Sequence, residues 1–226
     1  MTPQRCRLLT GWLLAAMAGL WAGHALAQAA SNPNLNAQLL VAAREGDVPR
    51  VEQLLTRGAA PDSRNRLGKT PLLLACEKGR LPLAEALLRG GASIAQASLE
   101  GVTPLMAASY SGNAELVRRL LAAGARSDAL DRMHKPAIIY AAGLGHTEVV
   151  EALLASGVDV DATYEHGLTA LMWAAGQGHA ELVKMLLARG ARLDLRDDRG
   201  LSALDIARQT QHPETADPLA RTPAAR

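Results

Sequence analysis

The sequence predicts an all-α solenoid, a stack of about six helix-turn-helix units. Glycine recurs every 33 residues, at Gly46, Gly79, Gly112, Gly145 and Gly178. Alanine recurs at the same spacing, at Ala42, Ala75, Ala108, Ala141, Ala174 and Ala207. Paired leucines keep the same period, from Leu54-Leu55 to Leu186-Leu187. A fixed period of this length indicates stacked supersecondary units, none of which can bury its own apolar face alone.

The second unit shows how each repeat is built. Thr70 followed by Pro71 predicts a helix start, because a threonine hydroxyl caps free amides and proline is tolerated at the first helical position. Gly79 ends that helix, since glycine adopts the left-handed conformation at little cost. Leucine and alanine at spacings of three and four predict a second helix over 81–88. A short polar loop then leads to the next unit.

These units resemble ankyrin repeats, whose first helix carries the pattern T-P-L-H-x-A. The matching segments are Thr70-Pro71-Leu72, Thr103-Pro104-Leu105, Thr169-Ala170-Leu171 and Ser202-Ala203-Leu204, together with Gly178-His179 and Leu186-Leu187 to Gly190-Ala191. The resemblance covers about four-fifths of the chain. It implies an ankyrin-repeat solenoid with short projecting loops, and it says little about function. The array is also similar to secreted ankyrin-repeat proteins of Gram-negative bacteria, some of which are associated with oxidative-stress defence.

The chain departs from the family pattern in two ways. The motif histidine is replaced throughout, by Leu73, Met106, Ile139, Met172 and Asp205. We expect this position to serve packing. The fourth unit carries His134 where the others carry glycine, and Pro136 where they carry threonine or serine. A side chain in a glycine-like backbone conformation costs about 1 kcal/mol or more, so function or strain is expected there.

The predicted domain organisation has four parts. They are a signal peptide over 1–27, a linker over 28–34, the array over 35–211, and a cap remnant with a flexible tail over 212–226. The predicted units span 35–63, 64–96, 97–129, 130–162, 163–195 and 196–211. Asp205 and Arg208 place charge on the last unit, as the solubility of an open stack requires. Pro213, Pro218 and Pro223 are expected to interrupt any structure that follows.

The first 27 residues carry the features of a secretory signal peptide. Arg5 and Arg7 precede an uncharged apolar run over 8–21, and a small-residue site predicts cleavage between Ala27 and Gln28. We therefore expect a periplasmic or secreted protein. The alternative is an uncleaved segment that tethers a scaffold to the membrane. The run is shorter than the ~20 apolar residues of a spanning helix, which favours cleavage.

Cleavage changes the charge and the cysteine content of the chain. Because Arg5 and Arg7 leave, the 24 basic residues fall to 22, equal to the 22 acidic residues. A neutral chain has no electrostatic footprint for nucleic acid, and no membrane association is expected after cleavage. Cys76 is then the single cysteine, so packing alone, without an internal disulfide, must hold the fold.

A metal- or thiol-dependent protein is the alternative from another functional class. His146 and His179 each begin an H-x-E triplet, but the P-C-x-x-C half of the zinc deaminase signature is missing. Histidines of adjacent units are expected about 8–10 Å apart, too far to share one metal. Cys76 occupies a column of small packing residues. No catalytic motif or cofactor site is recognised, so we expect a non-enzymatic protein without a cofactor.

The predicted binding surface follows from the resemblance. In ankyrin-repeat proteins, ligands lie in a concave groove along the loop tips and the exposed side of the first helices. The matching positions here are Arg66, Leu67, Lys69, Leu99, Val102, Tyr110, Arg132, Met133, Lys135, Tyr164, His166 and Leu168. Aromatic, methionine and arginine side chains are typical of interface centres. The expected partner is a protein or peptide, whose identity the sequence leaves open, as it does the oligomeric state.

Overall fold

The computed structural model describes residues 33–222, which form twelve α-helices and no strand. The first helices of the six pairs are Pro33–Glu45 (α1), Pro71–Glu77 (α3), Pro104–Ser111 (α5), Ala137–Gly143 (α7), Ala170–Gly176 (α9) and Ala203–Gln209 (α11). The second helices are Val48–Thr56 (α2), Leu81–Arg89 (α4), Ala114–Ala122 (α6), Thr147–Ala155 (α8), Ala180–Ala188 (α10) and Pro213–Arg221 (α12). The predicted all-α repeat solenoid is confirmed.

The helices form two layers with one continuous apolar core. First helices pack against the first helices of neighbouring units, and second helices against second helices. The alanines of the 33-residue column are all fully buried. At the position of the missing motif histidine, Leu73, Met106, Ile139 and Met172 are at most 3% exposed. These four side chains therefore pack in the core, as expected. The expectation is wrong for Asp205, whose carboxylate accepts hydrogen bonds from the amide and hydroxyl of Ser202 at the start of α11.

The caps explain where the first helices begin. The hydroxyl of Thr70 accepts a hydrogen bond from the amide of Leu73 (3.2 Å), and Thr103, Thr169 and Ser202 cap their helices in the same way. Pro136 occupies the cap position of α7 and provides no such bond. Of the five first helices from α3 to α11, only α7 therefore starts without a side-chain cap.

A column of side-chain donors ties each unit to the one before it. Each donor lies at the start of a second helix and reaches a backbone carbonyl at the end of the preceding unit's first helix, where helical carbonyls lack partners. The bonds join Arg80 to Arg44 (3.0 Å), Asn113 to Gly79 (2.8 Å), His146 to Tyr110 (3.1 Å) and His179 to Gly143 (3.0 Å). Because a carbonyl oxygen only accepts, each histidine donates through its Nε2–H.

The end of the array differs from the expectation of a cap remnant and flexible tail. Residues 213–221 form α12, in which Thr215 and Leu219 are buried. The Thr215 hydroxyl donates to the carbonyl of Ala175 (2.9 Å). Pro213 lies in the first turn, where no amide is needed, and Pro218 leaves only the carbonyl of exposed Glu214 without its helical partner. The prolines therefore do not prevent a final helix.

The beginning of the array also extends beyond the predicted boundary. Helix α1 starts at Pro33, inside the predicted 28–34 linker. The predicted signal peptide, its cleavage site and residues 223–226 lie outside the described residues. Within 33–222, every helix is too short or too polar to cross a bilayer.

The donor column predicts a graded loss of stability at Asn113. Asn113→Asp keeps a side-chain oxygen that can accept from the Leu116 amide and cap α6, but it removes the Nδ2 donor to Gly79. We expect unfolding free energy to fall by about 1 kcal/mol, measured by urea denaturation. Asn113→His restores a donor of the kind found at His146 and His179 but loses the cap, since neither histidine caps its own helix. It should therefore be more stable than Asn113→Ala, which lacks both the donor and the cap. Equal stability of Asn113→Asp and the unchanged chain would show that the inter-unit bond contributes nothing.

Candidate protein-binding surface

The predicted binding residues share one side of the stack. We call it the first-helix face. It is formed by the exposed side of the first helices and by the loops 65–69, 98–102, 131–135, 164–168 and 197–201. The loops are named second to sixth after the units to which they belong. Eleven of the twelve predicted residues lie in the second to fifth loops, and Tyr110 lies on α5. Leu67, Leu99, Tyr110 and Met133 are 56–61% exposed. The face therefore presents large apolar side chains to solvent.

A first cleft of about 350 Å³ lies between the second, third and fourth units. It brings together the predicted Lys69, Val102 and Tyr110 with Tyr140 and Lys78. The rings of Tyr110 and Tyr140 meet edge to face, with centroids 6.3 Å apart and planes at 78°. This geometry is a favourable aromatic contact, so the two rings hold each other in place.

Tyr140 is further fixed by a hydrogen bond from its hydroxyl to Oδ2 of Asp131. Burial and the Asp131 carboxylate both raise the pKa of Tyr140 well above its usual value. The phenol therefore stays protonated at neutral pH and can donate this bond. Asp131 in turn belongs to the fourth loop, so the bond connects the floor of the first cleft to that loop.

A second cleft of about 250 Å³ lies between the fourth and fifth loops. Its walls include five of the predicted residues, and its floor includes Trp173. The lining residues are Met133, His134, Lys135, Ile139, Tyr164, Glu165, His166, Leu168 and Trp173. The ammonium of Lys135 lies 5.0 Å from the centroid of the Trp173 ring, within the range of a cation–π interaction. Arg66, Leu67, Leu99 and Arg132 line neither cleft and form the exposed loop tips around them.

The fifth loop is built differently from its neighbours. In the second, fourth and sixth loops, the first residue is Asn65, Asp131 or Asp197, whose side chain accepts from two backbone amides further along the loop. In the third loop Ser98 accepts from one. The corresponding residue of the fifth loop is Tyr164, which has no equivalent acceptor. There the chain forms a short 3-10 turn over Glu165–Gly167, with His166 at φ 61°.

Neighbouring loops approach each other closely at a glycine. A Cβ added to Gly68 would lie 2.9 Å from the Leu99 amide nitrogen, and one added to Gly101 would lie 3.1 Å from Cα of Asp131. Such contacts are too short, so a side chain at this position pushes the next loop away. His134 occupies this position in the fourth loop, with a left-handed φ of 53°. The fourth unit therefore departs from the repeat pattern as expected: His134 adopts the backbone conformation of a glycine although it carries a side chain.

Backbone bonds between loops are absent where His134 lies. The Leu99 amide donates to Leu67, the Arg132 amide to Glu100, and the Asp198 amide to His166, at 2.9–3.1 Å. In the described part of the chain, no such backbone bond joins the fourth loop to the fifth. The second cleft opens at this junction, and the side chains of His134 and Tyr164 both line it.

The residues of the metal or thiol alternative have structural contacts. His146 and His179 each use Nε2 in the donor column. Cys76 is fully buried, and burial, with a smaller contribution from Glu77, raises the pKa of its thiol far above the usual value. A buried thiol of this kind is unreactive. Across residues 33–222, no group of three or more histidine, cysteine, aspartate or glutamate side chains is placed to hold a metal ion.

Tyr140 and Trp173 are the surface residues that the sequence analysis missed. Both precede the buried alanine column by one residue, in a position occupied by Val41, Leu74 and Ala107 in earlier units. The column is therefore aliphatic in those units. The signal that would have revealed them is the change from aliphatic to aromatic residues in the fourth and fifth units alone, next to the irregular loops.

Comparison with known families agrees with the architecture. The family profile described as Ankyrin repeats (3 copies) matches the chain three times, over residues 39–131, 86–164 and 138–224. The chain belongs to the ankyrin-repeat family. Ankyrin repeats are protein–protein interaction modules, typically without enzymatic activity, so the first-helix face is the candidate site for a protein partner. A search of curated proteins found no match to the chain.

Relief of the left-handed conformation at His134 should stabilise the protein. His134→Gly removes the clash of a Cβ at positive φ, and we expect unfolding free energy to rise by about 0.5–1 kcal/mol in urea denaturation. Met133→Gly is the matched control, because Met133 is the exposed neighbour in the same loop and does not have positive φ. The control substitution should lower the unfolding free energy slightly. If both variants lose stability equally, His134 is not strained.

Proposed function

We propose that the protein is a non-catalytic interaction module that binds a protein or peptide on its first-helix face. The observation that carries this proposal is the exposed strip of Tyr110, Arg132 and Met133 beside the two clefts. Side chains of these three types are enriched at the energetic centres of interfaces. The ankyrin family membership supports the same face. No part of the proposal requires a cofactor or a metal.

The architecture supports binding with little loss of conformational freedom. All loops of this face except the fifth are held by side-chain bonds to their own backbone, as at Asp131, and the Tyr140 hydroxyl fixes the floor of the first cleft. A preorganised surface loses less entropy when a partner binds than a mobile one does. The helix stack therefore acts as a rigid support that presents the loop tips.

We further propose that the chain acts outside the cytoplasm, in the periplasm or after secretion. The support is the order of basic, apolar and small-residue regions in the first 27 residues. An oxidising compartment suits a chain whose remaining cysteine is buried and whose fold needs no disulfide. A role in stress defence rests on the resemblance to secreted ankyrin-repeat proteins alone.

Export has a direct test in the mass of the mature chain. When the full-length protein is produced in a Gram-negative host and recovered from the periplasm, we expect its first residue to be Gln28, identified by intact-mass and N-terminal peptide analysis. Ala25→Arg, which places a large charged side chain in the small-residue cleavage site, should accumulate uncleaved chain. A membrane-bound product that retains Met1 would instead support the tethered scaffold.

Binding has a matched pair of variants. The test variant combines Tyr110→Ala, Arg132→Ala and Met133→Ala. The control combines Glu115→Ala, Arg118→Ala and Arg119→Ala, three exposed residues of the second-helix layer. In quantitative capture from periplasmic extract, we expect the main partner to be reduced roughly tenfold or more by the test variant and to be unaffected by the control. Equal capture by both variants would remove the first-helix face from consideration.

A further inference from the structure

We propose that the cleft between the fourth and fifth loops is the anchor subsite of this surface, and that it takes one large apolar side chain from an acidic segment of the partner protein. The inference rests on the proposed function of the first-helix face and specifies the chemistry of its ligand. It is carried by three observations: the local origin of the cleft, the nature of its walls, and the charges around it.

The cleft results from two substitutions in the repeat pattern. His134 stands where glycine lets the next loop approach, and Tyr164 stands where an asparagine, aspartate or serine would hold the loop. The Lys135 and Leu168 positions at the ends of the two loops still follow the pattern, because the backbone bonds Asp131 to Lys135 (3.2 Å) and Tyr164 to Leu168 (3.0 Å) are kept. The stack is thus regular on both sides of the cleft, and only the loop tips separate.

The walls of the cleft suit a bulky apolar group. Ile139, Leu168 and Met133 provide aliphatic surface, and Trp173 and Tyr164 provide aromatic surface. Burial raises the pKa of Tyr164 above its usual value, with a smaller contribution from Asp159, so its hydroxyl stays neutral. A volume of about 250 Å³ accommodates one side chain of the size of leucine, phenylalanine or tryptophan. Insertion of such a group into a water-filled apolar cleft is favourable because it removes apolar surface from water.

The charges beside the cleft favour an acidic ligand. Between the second and fourth loops, the two exposed carboxylates of this face are already paired, Glu77 with Lys69 (2.5 Å) and Glu100 with Arg132 (3.6 Å). The third, Asp131, is buried and accepts hydrogen bonds from its own loop and from Tyr140. Within the described chain, no carboxylate lies at ion-pair distance from Arg66, Lys78 or Lys135. Among the described residues these three cations have no ion-pair partner, although Lys135 also lies over the Trp173 ring. A partner whose carboxylates lie toward Arg66, Lys78 and Lys135 when its apolar side chain is in the cleft is complementary in charge to these cations.

The opposite rim argues against a nucleic-acid ligand. Aromatic rings with nearby cations also suit single-stranded nucleic acid. However, Glu165 and Asp198 lie 3.8 and 3.6 Å from the imidazole nitrogens of His166 at the other side of the cleft. A continuous phosphate backbone that crosses the cleft meets these carboxylates, whereas a peptide changes its charge from residue to residue. A peptide with carboxylates on one side only fits both rims.

The first test selects ligands without assuming a sequence. A phage-displayed library of random peptides is panned on the purified full chain. We expect enriched peptides to carry two or more Asp or Glu residues close to one Leu, Phe or Trp. For this measurement the protein is the exported chain that starts at Gln28, which no longer carries Trp12 and Trp21. A synthetic Phe- or Leu-containing peptide of the enriched sequence should then shift the emission of Trp173 to shorter wavelength, because Trp173 lines the cleft. Enrichment of basic peptides, or no enrichment, overturns the inference, as does tighter binding of a single-stranded oligonucleotide probe.

The second test closes the cleft while strengthening the fold. His134→Gly restores the glycine of the other loops, so we expect this single variant to be more stable and to bind the selected peptide more weakly. Adding Tyr164→Asn, which also removes a wall of the cleft, should weaken the peptide at least tenfold. Loss of binding in a stabilised variant cannot arise from unfolding. Ser98→Asn is the control, because it places asparagine at the same position of the third loop, away from the cleft. It should leave binding unchanged.

The third test concerns charge. Lys135→Glu should weaken the peptide at least tenfold, and exchange of the peptide's acidic residues for lysine should restore binding to that variant. Lys184→Glu, the same change on the second-helix layer, should have no effect. One outcome overturns this inference and leaves the proposed function intact: the peptides lose affinity for the Tyr110, Arg132 and Met133 triple variant but keep full affinity for the closed-cleft and Lys135→Glu variants. Peptides indifferent to all of these variants contradict both.

Discussion

Neighbouring first helices approach each other across a column of alanines that are completely buried, from Ala42 to Ala207. Alanine carries only a methyl group, so these buried positions allow neighbouring helices to pack closely, and the 33-residue period keeps the spacing of the units constant. That spacing brings the donors Asn113, His146 and His179 within reach of the preceding unit. It also brings each loop onto the glycine of the loop before it. The surface available to a partner is therefore a consequence of alanine packing far below it.

Much of this architecture follows from the sequence, because it depends on local chemistry repeated at a fixed interval. Threonine before proline at Thr70 specifies a helix start, and glycine at Gly112 adopts the left-handed conformation that ends α5. The final helix was harder to anticipate, because prolines usually mark breaks. Its stability depends on Leu219 and Thr215 reaching α10 and the end of α9, contacts between residues distant in sequence.

The candidate site was predictable in outline and not in detail. The family pattern places Met133 and Lys135 in a loop, and the substitution of glycine by His134 marks that loop as irregular. The sequence does not show that this side chain separates two loops, because the effect depends on how closely the next backbone approaches. Nor does it show that Trp173 faces the surface, since a single step along a short helix decides between core and solvent.

The absence of a backbone bond between the fourth and fifth loops has a mechanical consequence. In a stack whose stability is a sum of unit and neighbour terms, a junction with fewer contacts is the weakest coupling along the array. A ligand seated between Met133 and Leu168 contacts both units at once and adds the coupling that the loops lack. Ligand binding in the second cleft is then linked to the stability of the array. A ligand that bridges the fourth and fifth units should make the six units unfold more cooperatively.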